Sequence, residues 1–140
     1  MSGCTSVTDA AFVHLKGIHT LDMYDCNQST ITDAAFTYLK GIHTLNMACC
    51  SQATITDAAF AHLKGIHSLS LWACPQLTSA VFTHLKDVKR LNIGYCTQLN
   101  PTDDSLKGIE WLGMYGHSQA QIDAAEFLGY PVDPVLHTGV

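Results

Sequence analysis

A chain of 140 residues, 47% apolar and 14% charged, is long enough to close one core and too apolar for a disordered acidic chain. Its net charge of −5 argues against a nucleic-acid surface, which needs clustered Lys and Arg; only 7 are present, and Lys16, Lys40, Lys64, Lys86 and Lys107 recur at one repeated position as a spaced row. No apolar run approaches the ~18 residues of a membrane span, and MSGCTSV has neither the basic start nor the apolar stretch of a signal peptide, so no membrane contact is expected.

The predicted elements follow one another in a repeated order. The string ITDAAFTYLKGIHTLNMACC at residues 31–50 nearly copies residues 7–26 and returns at 55–74. Within it, Thr32 is a good N-cap, Asp33 suits the positive end of a helix, and Gly41 suits the position past the last turn. Phe36 and Leu39 fall on one face, which predicts a helix of about two turns. A short strand comes next in each unit. In Leu21-Asp22-Met23, the alternation puts Leu21 and Met23 inside and Asp22 outside. The fourth helix, 78–85, keeps the pattern; the fifth segment, 99–106, loses the Phe and one residue, so a single turn of 3₁₀ type is predicted. The last segment, 122–128, is predicted as a distorted helix that Tyr130-Pro131-Val132-Asp133-Pro134 stops.

The apolar residue opening each strand segment is Ile18, Ile42, Ile66, Val88 and Ile109, at steps of 24, 24, 22 and 21 residues. A period of that size marks stacked repeats. The frame Ile18-x-x-Leu21-x-Met23-x-x-Cys26 recurs with Cys50, Cys74 and Cys96, and ends as Ile109-x-x-Leu112-x-Met114-x-x-His117. Neither element buries its apolar side alone. Stacking unit on unit makes a parallel sheet and one core, with Leu21, Leu45, Leu69, Leu91 and Leu112 as its spine.

This frame resembles the leucine-rich repeat family in its cysteine-containing subtype, from residue 4 to about residue 128. The resemblance implies an α/β solenoid: a short horseshoe arc with a parallel five-stranded sheet on the concave side and short helices on the convex side. The chain 1–140 reads as one such domain, with repeats at about 4–26, 27–50, 51–74, 75–96 and 97–117 and a C-terminal cap at 118–140. The N-terminus begins mid-unit at Cys4 without a cap, which makes homo-oligomerisation through that end a second expectation.

Cys4, Cys26, Cys50, Cys74 and Cys96 occupy one repeat position. No C-x-x-C pair or finger spacing accompanies them, so neither a disulfide framework nor a zinc site is indicated. The resemblance implies inward thiols that fill space and touch loop backbone. Free buried thiols also favour a reducing, cytoplasmic location. Cys49, beside the inward Cys50, is the candidate reactive thiol on the open side. His19, His43 and His67 form another column at the strand entrances, where rings at strand spacing come within reach of a shared metal ion. Copied sequence on a partly exposed edge accounts for the same column, and no metal or other cofactor is expected. The Asp of each Thr-Asp helix start is expected to cap its own helix. No phosphate loop, nucleophile elbow or oriented acid–base pair is present in the sequence, so no enzyme is expected.

The letters that change between units cluster. Outside the inward Leu and Met positions stand Thr20, Thr44, Ser68, Arg90 and Trp111, then Asp22, Asn46, Ser70, Asn92 and Gly113. Next come Tyr24, Ala48, Trp72, Gly94 and Tyr115, then Asp25, Cys49, Ala73, Tyr95 and Gly116. Strand alternation puts all of them on the concave surface. Exposed Trp and Tyr are common binding anchors. The expected function is therefore non-catalytic recognition of a protein partner. Tyr24, Trp72, Tyr95, Trp111 and Tyr115 are the aromatic contacts, joined by Asp22, Asp25, Asn46 and Arg90. The alternative is an uncapped structural fragment of a larger protein. Cysteine-containing repeats resemble those of F-box proteins, the substrate receptors of ubiquitin ligases, but no F-box domain fits before Cys4.

Overall fold

The computed structural model describes residue 1 and residues 6–135. Cys4 and the end of the expected cap, 136–140, lie outside the described residues. Among the described residues, six short strands form one parallel sheet in chain order: β1 (Thr20–Asp22), β2 (Thr44–Asn46), β3 (Ser68–Ser70), β4 (Arg90–Asn92), β5 (Trp111–Gly113) and β6 (Val132–Asp133). The register is the one the repeat demands. Leu21, Leu45, Leu69, Leu91 and Leu112 are successive partners, and Leu112 pairs with Val132. Backbone pairing runs past the strands: the Met23 amide donates to the Asn46 carbonyl at 2.7 Å, and the Asp25 amide to the Ala48 carbonyl at 2.9 Å.

The sheet has one strand more than the five expected. Residues 130–134 do stop the last helix, but Val132 and Asp133 then join the edge of β5. Proline needs no ladder donor at that entry, and the Pro131 carbonyl accepts from the Leu112 amide at 3.1 Å.

A helix does precede each of the first four strands, but its type differs from a plain two-turn α-helix. Asp9–Leu15, Asp33–Leu39, Asp57–His62 and Ser79–His84 are 3₁₀ helices. The sheet sets the repeat distance near 4.8 Å, whereas packed α-helices need about 8–10 Å between axes. The tighter 3₁₀ winding, with alanine next to the phenylalanine, lets neighbouring turns approach more closely. The segment 99–106 contains only bends and turns. The final helix, α1 (Gln119–Phe127), is a regular α-helix and not the distorted one expected from residue 122. Ser118 accepts from the Gln121 amide while the Gln121 side chain accepts from the Ser118 amide, so its start is fixed by a reciprocal cap.

One cluster of buried side chains runs from Phe12 to Tyr130. Phe12, Phe36, Phe60 and Phe82 come from the 3₁₀ helices, and the leucine spine comes from the strands. Adjacent phenylalanines pack tilted, with Phe36 and Phe60 centroids 5.9 Å apart. At the β1 edge Met1 stands where a preceding unit's inward residue would stand. Its ammonium donates to the Asp22 carbonyl at 2.7 Å, and its carbonyl accepts from the Cys26 thiol at 2.6 Å. Among the described residues no helix is long and apolar enough to cross a membrane.

Candidate functional site

Three side-chain ladders bind unit to unit and so keep in register the strands that form the open face, the side away from the helices. The first is the cysteine column. Cys50 donates to the Met23 carbonyl at 2.9 Å, Cys74 to the Met47 carbonyl at 3.1 Å and Cys96 to the Leu71 carbonyl at 2.8 Å. Burial pushes the Cys50 thiol up to about 12 and the Cys96 thiol up to about 11, so both stay protonated donors. His117 takes the fifth place, its ring nitrogens 3.1 Å and 3.3 Å from the Met114 and Leu99 carbonyls.

Two further ladders escaped the sequence reading. Gln52, Gln76 and Gln98 donate to the carbonyls of Cys26, Cys50 and Cys74 at 2.7, 2.9 and 3.0 Å. The recurring Cys-x-Gln triplet was the signal. The aspartates of the Thr-Asp starts do not cap their own helices. Thr32, Thr56 and Thr78 do that, each hydroxyl accepting from the amide two residues on. Asp9 instead grips the next unit, accepting from the amide and hydroxyl of Thr32, both at 2.7 Å. Asp33 grips Thr56 in the same way, at 2.7 and 2.6 Å.

On this frame the nine expected binding residues share the open face but fall into two groups. In the C-terminal half, Trp72 meets Tyr95 edge-on, and Tyr95 meets Tyr115 edge-on, with 5.1 Å between centroids in both pairs. A hydrogen bond with Tyr115, made by the neutral phenol, raises the Tyr95 phenol above its usual value. Arg90 lies over the Trp111 ring at 5.1 Å, and Trp111 donates its indole N–H to Asp133 at 3.1 Å. In the N-terminal half, Tyr24 stands apart. Its phenol is raised chiefly by a hydrogen bond with the Cys49 side chain. Asp22 accepts from the Tyr24 amide at 2.9 Å and from Asn46 at 3.2 Å, and Asp25 accepts from Asn27 at 2.8 Å. These carboxylates therefore already carry internal partners.

The large rings lie across the sheet instead of standing on it, and glycines make room for them. A Cβ at Gly94 would sit 2.5 Å from the Trp72 ring, one at Gly113 2.6 Å from Trp111, and one at Gly116 2.8 Å from Tyr95. Trp72 and Trp111 are consequently half-buried, and Ser70 and Asn92 on the same face are covered, whereas Tyr24 and Tyr95 remain 45% and 49% exposed. Alternation alone does not explain the outer positions. Asp25, Cys49, Ala73 and Tyr95 have φ of 55°, 63°, 55° and 57°, so a left-handed residue turns the chain and returns these side chains to the open side.

No protein-family model and no curated protein matches the chain. What the surface can do follows from its own chemistry. It offers a contiguous aromatic strip with phenol groups, an arginine at one margin and carboxylates at the other end. Among the described residues no group of three or more His, Cys, Asp or Glu is placed to hold a metal ion. The rings of His19, His43 and His67 stack face to face, with centroids 4.5 Å apart in both pairs and planes within 13°. Lone pairs in such near-parallel rings run side by side and do not converge on one ion.

Proposed function

We propose that the chain is a leucine-rich-repeat arc that recognises a protein partner on its open face, without catalysis. The observation that carries this reading is the edge-to-face series Trp72–Tyr95–Tyr115, laid across a sheet whose strands keep one register. Rigid aromatic surface with polar tips is the kind of surface that anchors a partner at low entropic cost. The polar margins, Arg90 on one side and Asp22 with Asp25 on the other, would orient a partner rather than supply most of the affinity. A reducing, cytoplasmic setting belongs to the same reading, supported by thiols that act as hydrogen-bond donors to backbone carbonyls.

The test is affinity capture from a native lysate, wild type against a Trp72→Ala, Tyr95→Ala, Tyr115→Ala triple variant. The variant should unfold cooperatively and lose the captured partner. Equal capture by both proteins would remove the open face as the recognition surface. Loss of cooperative unfolding would show that the aromatics serve the fold instead.

A second reading, self-association, draws on the C-terminal end. Phe127 is 92% exposed, and with Ala120, Ala124, Leu128 and Pro101 it borders a shallow apolar groove of about 490 Å³. Association through the N-terminal end, where Met1 meets Asp22 and Cys26, is the other route to the same reading.

A further inference from the structure

The charges of the first three units are segregated by the fold. The turns entering β1, β2 and β3 read HLKGIH, YLKGIH and HLKGIH at residues 14–19, 38–43 and 62–67. They hold three lysines and five histidines and no acid, while the acids of these units, Asp9, Asp22, Asp25, Asp33 and Asp57, all lie elsewhere. In sequence the lysines are 24 residues apart. The parallel register brings equivalent positions to about one strand spacing, ~4.8 Å. Lys16, Lys40 and Lys64 are exposed and precede His19, His43 and His67 by three residues each, with Lys16 Nζ 5.5 Å from the centroid of the Tyr38 ring. What is a spaced row along the chain is thus one cationic edge on the molecule.

The histidines are oriented as well as aligned. Nδ1 of His19 lies 3.3 Å from the Thr20 hydroxyl, and Nδ1 of His43 lies 3.1 Å from that of Thr44, which leaves Nε2 for an outside partner. The column continues into Lys89, whose ammonium donates to the Gly108 carbonyl at 3.0 Å. The groups bordering it from the preceding 3₁₀ helices are His14, Lys16, Lys40, His62 and Lys64; the acids of the equivalent turns, Asp87 and Glu110, belong to the fourth and fifth units.

We infer that this edge docks an acidic segment of a protein partner, with Lys16, Lys40 and Lys64 supplying fixed charge and the imidazoles of His19, His43 and His67 supplying hydrogen-bond donors. Carboxylates complement both elements. A nucleic acid fits less well. The imidazole faces are occupied by one another, so bases find no open stacking platform, and the remainder of the molecule is acidic. This surface is separate from the aromatic strip and does not depend on it.

Fluorescence anisotropy with a labelled peptide of alternating Glu and Ser tests the inference at fixed ionic strength. Binding should tighten by about tenfold between about pH 7 and about pH 5, as His43, held below its ordinary value, takes up its proton. A Lys16→Gln, Lys40→Gln, Lys64→Gln variant should lose most of the affinity at both pH values. His43→Gln should reduce the pH dependence, and Lys107→Gln, outside the strip, should change little. No saturable binding by the wild type, equal binding by the triple-lysine variant, or preference for a single-stranded oligonucleotide of equal charge would each overturn it. So would lysine substitutions that act only by abolishing self-association, read by light scattering.

Discussion

At the scale of single residues, the left-handed position after each strand is the most constrained. Asp25, Cys49, Ala73 and Tyr95 adopt it, and glycine holds it only at Gly116. An L-residue there costs ~1–2 kcal/mol. Ala73→Gly should therefore raise stability by about 1 kcal/mol, partly offset by the freedom glycine gains in the unfolded chain. A urea midpoint that stays the same or falls would contradict this. The cysteines divide by environment. Cys50, Cys74 and Cys96 are buried donors whose thiols burial pushes upward, whereas Cys49 is half-buried on the open side beside Tyr24. Iodoacetamide at mildly alkaline pH should label Cys49 in the native protein before those three. Peptide mapping would reveal a different order if the column opens readily. The column itself was legible because one residue type recurred at one position; its inward role was what the resemblance implied. The tilt of Trp72 over Gly94 was not, because it depends on space left by a glycine in the next unit.

At the scale of elements, the units are held by backbone ladders and by side chains that reach one unit onward. Asp33 accepts two hydrogen bonds from Thr56, and both partners sit near solvent. Asp33→Ala should cost about 1–2 kcal/mol, because the Thr56 amide and hydroxyl lose a charged acceptor but keep access to water. Chemical denaturation measures it; a cost near zero would leave Asp33 as a helix-end charge alone. The helical periodicity was readable at the Phe and Leu positions, but the 3₁₀ winding was not. Phe36 and Leu39 fall on one face in either geometry, and the choice depends on how closely the sheet draws neighbouring helices together. β6 was missed for a related reason. Val132-Asp133 is too short to signal a strand by itself and becomes one only because β5 offers an unpaired edge.

At the scale of the whole molecule, repetition stacks like groups upon like. For the histidine column this has a cost in acid. Burial, then the neighbouring His19 and His67, lower the proton affinity of His43 below its ordinary value of 6.5. As pH falls, the unfolded chain takes up this proton first. The contribution to stability is therefore present above about 6.5 and is lost as pH drops through the lowered native value. Urea midpoints should fall between about pH 7 and about pH 5, less steeply in His43→Gln. A midpoint equally sensitive in that variant would place the pH dependence on other groups. An acidic ligand on the same edge would oppose the loss, because it favours the protonated rings.

The order of elements, the inward residues and the pairing register followed from the sequence alone, since a repeat of apolar positions leaves few ways to bury them. The leucine spine belongs to that class, while the buried thiols of Cys26, Cys50, Cys74 and Cys96 were what the resemblance implied. Tertiary structure alone decided the winding of the helices, the sixth strand and the two groups of open-face residues. Each of these depends on distances across units, which a linear spacing of 24 residues does not contain until the strands stack.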